Sequence, residues 1–454
     1  MESSYIYELA GGLLRLLFAK WPLWGFMRNS DGAVPHTPKM ADAARPTIEL
    51  SYETFQYWVI DRERKRLGVV LRSGEQRWSE IPADAGILDS QMVMTAFDWE
   101  KWWTVNSTVR GDLLFAEVYS PASEDPTKGR PSVYLDQNHW STLSLARVDP
   151  DRIKKKSEIE PAEELIELAT DGGVILPLSA GHLVETSRLY SDKRYELGLA
   201  MASIAGGWQM RHPLALRRFE FAQALGRELG REVPALANRP AITLEPNALL
   251  NEPDSGPSSP GEFAFFSRAI NASSITLELL LDPVADPRFE PEQWLAANKS
   301  FAEALSSSPA SQAEKKIASR VRTLIDLQGD MLEGFGLLGA SASDFTMSDP
   351  KAVSKFVMSM PMIGAYAHIN MMRHTNHKRK WRGNDLTDMV YLSAGAAYAD
   401  FVAAENATGE DLRQYQVAMK KPVTVHRTLE SLVKAIRDSG AMTATEREQA
   451  ATSN

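Results

Sequence analysis

The stretch SVYLDQNHWSTLSLAR, residues 132–147, decides how this chain is read. A short apolar run reaches Asp136 and turns at once polar, and helical spacing follows. Such a run, bounded by polar signals, reads as a short buried strand of the kind found in parallel sheets. An acid at the junction of strand and helix has two readings. It can cap the helix with its side-chain oxygen, or it can stand in the crevice beyond the carboxyl ends of parallel strands, where sites form.

The flanking sequence repeats this alternation. IEPAEELIELATDGG (159–173) has helical spacing and a glycine stop, VILPLS (174–179) reads as a second apolar strand, and SAGHLVETSRLYSDKRYELGLAMASIAG continues as helix. After a long, mainly helical region, broken by the Pro/Ser/Gly-rich NEPDSGPSSPGEF (251–263), the alternation resumes. DLTDMVYLSAGAAYA (385–399) reads as helix, DFVAAE (400–405) as strand and EDLRQYQVAMKK as helix. VTVH (423–426) then reads as strand and TLESLVKAIRDSG as a last helix. Strand and helix in turn point to parallel βαβ units, split here by an insertion at about 190–380. Upstream, aromatic and β-branched pieces between charged turns (TIELSYETFQYWVID, LGVVLR, QMVMTAF, DLLFAEVYS) predict a small, mostly β domain. The expected organisation is an apolar N-terminal segment (1–40), the β domain (41–130), an α/β domain with its insertion (131–440) and a polar tail (441–454).

Composition narrows the class. The chain has 454 residues, 44% hydrophobic and 24% charged, ordinary values for a soluble globular protein. It contains no cysteine, which removes disulfides, thiolate zinc sites and a cysteine nucleophile and fits a cytoplasmic protein. A net charge of −9 argues against a protein that coats nucleic acid with its whole surface. There is no GxGxxG and no GxxxxGK[ST] loop, which speaks against dinucleotide enzymes and nucleotide-driven motors. LAGGLLRLLFAKWPLWGFM (9–27) is apolar but interrupted by Arg15, Lys20 and Pro22, so it does not read as a membrane span. An interfacial amphipathic helix, a docking segment, and residues upstream of a start at Met40 all fit it.

The acids recur at the ends of these elements. Asp136 ends the first strand. Glu405 ends FVAAE on the same edge if the two strands are parallel neighbours. Glu185 lies on the helix after VILPLS, with His182 three residues before it on the same face. Asp385 and Asp388 are spaced i, i+3 at a helix start, which also fits a capping box. Asp400 opens its strand from the opposite end and is the weaker candidate. Carboxylates gathered this way repel one another, and Mg²⁺ or Mn²⁺, which prefer oxygen ligands, would offset the repulsion.

In order and spacing these segments resemble the PIN-like nuclease superfamily. VYLDQNHW is similar to its first motif, LPLSAGHLVETSR to its second, and GNDLTDMVYLSAGAAYADFVAAEN to its third and fourth. The resemblance covers about 130–200 and 380–440, and leaves the insertion and the N-terminal 130 residues unexplained. It implies an α/β fold with a parallel sheet flanked by helices. It also implies metal-binding catalytic acids at Asp136, Glu185, Asp385 or Asp388, and Glu405, with Asn138 orienting a ligand or a water. The fourth acid departs from the pattern, since most members carry aspartate there and this chain offers Glu405 with Asp400 five residues earlier.

The basic segment RHTNHKRKWR (373–382) precedes the third motif. Arg379, Lys380 and Arg382 are candidates for phosphate contact and Trp381 for stacking on a base, with His182 a further candidate substrate contact. Arg211, Arg217 and Arg218 form a second basic group. The expectation is a metal-dependent endoribonuclease, toxin-like or defence related, using Mg²⁺ or Mn²⁺ on RNA, with DNA left open. The alternative is a PIN-like module without cleavage that holds RNA or a protein. A haloacid dehalogenase-like phosphatase ranks below both, because that chemistry needs a second acid where Asn138 stands.

Overall fold

In the computed structural model, residues 54–118, 125–245, 248–249, 276–285, 291–347, 349–376, 378–404 and 406–452 are described. The segment 1–40, the loop 251–263 and Glu405 lie outside them. The fold is mixed α/β, with an N-terminal antiparallel sheet and a helical bulk built around a small parallel sheet.

Six strands form the N-terminal sheet: β1 (Phe55–Asp61), β2 (Arg66–Leu71), β3 (Gln76–Glu80), β4 (Met92–Asp98), β5 (Trp103–Thr108) and β6 (Leu113–Glu117). They are antiparallel in the order β3-β2-β1-β4-β5-β6. β3 and β5 were not among the expected strands. Their alternating residues, in QRWSE and WTVNST, are mostly polar, and neighbouring strands rather than their own hydrophobicity recruit them. The sheet is tied to the rest by the Glu117 carboxylate, which accepts from Arg130 at 2.8 and 3.0 Å, and by Thr108, bonded to the Tyr195 hydroxyl at 2.7 Å.

The second sheet is parallel, in the order β11 (Val425–His426), β10 (Phe401–Ala403), β7 (Val133–Leu135). Residues 174–178 continue it only through single parallel bridges, Ser132 to Ile175 and Leu178 to Gln209. The expected strand 174–179 is thus two contacts rather than a regular strand. Beyond it lies the pair β8 (Gln209–Met210) and β9 (Ile242–Thr243).

Helices cover both faces. α1 (Gln137–Val148), α2 (Ile159–Thr170), α3 (Ala180–Thr186) and α4 (Ser191–Ala205) follow β7. The continuous helix expected after residue 179 is broken at 187–190 into α3 and α4. The inserted bulk contributes α5 (Pro213–Leu229), α6 (Glu292–Ser307), α7 (Gln312–Asp326), α8 (Gln328–Leu337), α9 (Pro350–Met358) and α10 (Pro361–His374). α11 (Asp385–Tyr398), α12 (Asn406–Ala418), α13 (Leu429–Asp438) and α14 (Ala444–Thr452) complete the chain. The expected polar tail is therefore a short docked helix, with Ala444 N–H donating to the Asp171 carbonyl at 2.7 Å and Arg437 bonded to Glu446 at 2.8 Å.

The parallel strands alternate strictly. Val133, Leu135 and Ala403 join the core of α1, α2, α4 and α13, while Tyr134, Val402, Ala404 and Val425 join that of α5, α10, α11 and α12. Burial on both faces is what a near-continuous apolar run in a parallel strand encodes. Glu220 of α5 is buried and accepts from Met362 and Ile363 N–H at 2.6 and 2.9 Å and from the Tyr398 hydroxyl at 2.6 Å. One carboxylate thereby caps α10 from another helix and anchors the end of α11.

α11 meets β7 at Gly395, where an added Cβ would lie 2.5 Å from the Tyr134 ring. Gly395→Ala therefore forces the acid-bearing helix away from the strand. Thermal unfolding is expected to show destabilisation of about 1–3 kcal/mol, the usual cost of overpacking. An unchanged melting temperature would show that α11 is free to shift.

Candidate functional site

Asp136 leaves β7 in extended conformation and both readings of it meet in one side chain. Its carboxylate accepts from Asn138 N–H at 2.8 Å as the N-cap of α1, and its own N–H donates to the Ala403 carbonyl at 3.0 Å. The acid is thus held at the carboxyl edge of β7, beside the end of β10.

Glu185 is brought to the same edge by a clamp. Ser179 caps α3, and its N–H donates to Nδ1 of His182 at 3.0 Å, so the proton of that ring sits on Nε2 and is donated to the Leu135 carbonyl at 2.8 Å. The ring stacks on Tyr134 at 5.2 Å and meets the edge of Trp140 at 5.9 Å. Burial holds it neutral, down to about 4. His182 therefore acts as the pin between α3 and the end of β7, not as a side chain presented to a ligand. A second tie runs from Gln137 Nε2 to Thr186 Oγ1 at 3.0 Å.

The pair on α11 divides its roles. Asp385 is buried in a two-pronged ion pair with Arg373, at 2.6 and 2.8 Å, and also accepts from Arg382 N–H at 2.5 Å. Its oxygens are engaged within the fold. Asp388, one turn on, is raised to about 7, by burial first and then by the charges of Asp136 and Asp385, against Arg373 and Arg188. Glu185 is likewise raised to about 7, by burial first and then by Asp388, with Arg188 opposing and Asp136 adding. Three carboxylates from three elements therefore share one field. Their separation is open: among the described residues no three His, Asp or Glu side chains stand close enough to hold a metal ion.

The remaining candidates fall outside this group. Asp400 lies at the other end of β10, where it accepts from Ser132 N–H at 2.8 Å and from its hydroxyl at 2.7 Å, stitching β10 to β7. Glu405, expected as the fourth acid, lies outside the described residues. Arg379 is paired with Asp411. Trp381 packs edge-on to Trp294 at 5.3 Å and lies 5.3 Å from His374, with the Arg373 guanidinium 5.3 Å from its ring, so it is part of the helical packing. Lys380, Arg382 and Asn138 are exposed. Arg211, Arg217 and Arg218 pair with Glu245, Asp330 and Glu333 at 2.6, 3.5 and 2.7 Å.

Arg188, Arg373 and Tyr391 were not singled out in the sequence. Arg188 is three residues after Glu185 and bonds Asn384 at 3.2 Å, so its spacing was a readable signal. Tyr391 fits against Gly181, where a Cβ would lie 2.7 Å from its ring, and nothing local announces that contact.

No family model matches this chain, and neither the curated proteins nor the solved structures give a significant match. Among the described residues no helix is long and apolar enough to cross a membrane.

The raised acids set a pH dependence. Glu185 and Asp388 titrate near 7 in the fold against 4.5 and 3.8 ordinarily, so the folded state retains protons the unfolded chain has already lost. Their contribution to stability is greatest below about pH 4, falls between about 4 and 7, and is level above that. Asp388→Asn is expected to raise the melting temperature of the metal-free protein at pH 8 by roughly 2–4 °C, the shift about 1 kcal/mol gives a large domain. At pH 5 the gain should shrink to less than half, because only the unfolded chain is then ionised at this position, and it should disappear below about pH 4; an equal gain at both pH 8 and pH 5 would show that charge is not its cause.

Proposed function

We propose that this protein is a metal-dependent phosphodiester hydrolase of the PIN-like nuclease type, acting on RNA. The observation that carries the reading is the convergence of Asp136, Glu185 and Asp388, from three separate sequence segments, at the carboxyl edge of one parallel sheet. The donor set is oxygen only; burial first and then repulsion from neighbouring carboxylates lift two of these acids, and a divalent cation would relieve that repulsion, so the residues suit Mg²⁺ or Mn²⁺. Asp136, Glu185 and Asp388 would hold the ion, which would supply charge neutralisation at a phosphate and a more acidic water. Among the described residues these acids do not already form a closed metal group, so their side chains would have to close on the ion.

The chain's own residues supply the rest. His182 and Gln137 fix α3, and through it Glu185, to the strand end. The Arg373–Asp385 pair locks the first turn of α11 and sets the position of Asp388. Exposed Lys380 and Arg382 stand just before that helix and give a phosphate backbone cations to approach. Asn138, exposed on the first turn of α1, would orient a water or a substrate oxygen.

The same absence of a closed metal group among the described residues favours one second reading, a module of this type that holds RNA without cutting it. Purified protein incubated with RNA and Mn²⁺ separates the two. Cleavage is expected, and the Asp136→Asn/Asp388→Asn double variant should lose it by more than about 100-fold, beyond the loss typical of groups one shell further from a metal. RNA retention without cleavage by the wild type supports the second reading. Equal cleavage by both proteins overturns the assignment to this site.

A further inference from the structure

The N-terminal sheet breaks the usual rule for an antiparallel sheet with one covered face. Trp58, Ile60, Thr95, Phe97, Thr104, Asn106, Leu114 and Ala116 alternate on the inner face, and all are buried. The opposite face should then be polar. It is not: Tyr57, Met94, Trp103, Leu113 and Phe115 stand on it at 37%, 38%, 40%, 58% and 50% exposure. Val59, Ala96, Val105 and Phe115 are successive cross-strand partners over β1, β4, β5 and β6, so the apolar residues form one continuous band. Contiguous apolar surface of this kind marks a docking site.

We propose that the occupant is the chain's own apolar segment, residues 9–27. Three features favour it over another partner. The described chain begins at Thr54, directly before β1, whose Tyr57 and Val59 lie in the band, so residues 28–53 act as the tether. That tether spans at most roughly 85–95 Å, ample to fold back over a sheet it already joins. The segment is rich in Leu, Phe and Trp, as a complement to this face must be. Charge also agrees: the segment carries Arg15 and Lys20 and no acid, while Asp98, whose carboxylate accepts from the backbone N–H groups of Glu100 and Lys101, stands on the same face as Tyr57 and Trp103.

The chain has no native cysteine, which makes a direct test simple. Leu17→Cys is combined with Val105→Cys in the band, or with Lys434→Cys on the exposed side of α13, in the full chain, and each is treated with a short bismaleimide. Docking within the chain predicts a monomeric cross-linked product from the Val105→Cys protein about tenfold faster or more than from the Lys434→Cys protein, from the higher effective concentration. Circular dichroism matching the wild type confirms that both variants fold. Equal rates overturn the proposal, and products that form only as dimers assign the face to a second copy. Co-sedimentation with phosphatidylcholine/phosphatidylglycerol vesicles that protects the thiol introduced by Leu17→Cys from the reagent assigns the segment to a lipid surface instead, and overturns it too.

Discussion

Everything in the candidate site depends on the pairing of two three-residue strands that meet across most of the chain. Phe401–Ala403 runs parallel to Val133–Leu135, and Asp400 fastens the start of the pair by accepting two hydrogen bonds from Ser132, 268 positions away. Strands this short hold little by themselves. Their register survives because each residue is buried, alternately in one helical layer and in the other, so that slipping by one position would turn every side chain to the wrong face. With that pairing in place, Asp136 is delivered to a sheet edge, and α3 and α11 have a fixed surface on which to bring Glu185 and Asp388 beside it.

The arrangement carries an electrostatic load. Most buried acids in this fold are answered: Asp385 by Arg373, Asp330 by Arg217, and Glu220 by two backbone N–H groups and a phenol. Burial raises Glu220, Asp330 and Asp326, but each of those is bonded within the fold to hydrogen-bond donors or to an arginine. Glu185 and Asp388 differ in what surrounds them: burial raises both first, and the charges that add to it are those of Asp388 and Asp136 at Glu185 and of Asp136 and Asp385 at Asp388, with Arg188 opposing at each. Groups of this kind, perturbed by burial and by a specific charged neighbour at a strand edge, are where function concentrates.

Much of this was legible in the sequence, and the failures have physical reasons. Asp136 could be placed because a three-residue apolar strand followed by a cap is a local signal, and Asp388 because helical spacing is local too. Asp385 could not be told from Asp388 by sequence: what separates them is Arg373, which lies on the preceding helix and reaches Asp385 only once the two helices pack. His182 read as a candidate for substrate contact because histidine is ambivalent, and its part as a pin is visible only from the Leu135 carbonyl it meets 47 positions away. Trp381 looked available for stacking until α6 placed Trp294 against it. β3 and β5 were missed because sheet pairing, rather than their own apolar content, makes them strands.

The central claim is that the three converging carboxylates bind a divalent cation. Calorimetric titration of the purified protein with Mn²⁺ at pH 7, repeated in two buffers of different ionisation enthalpy, tests it most directly, because ligands that titrate near 7 must shed protons when the ion binds. Saturable binding with net proton release, with both abolished in the Glu185→Gln/Asp388→Asn variant, is the predicted result. No binding, or binding that releases no protons and persists in that variant, would contradict it.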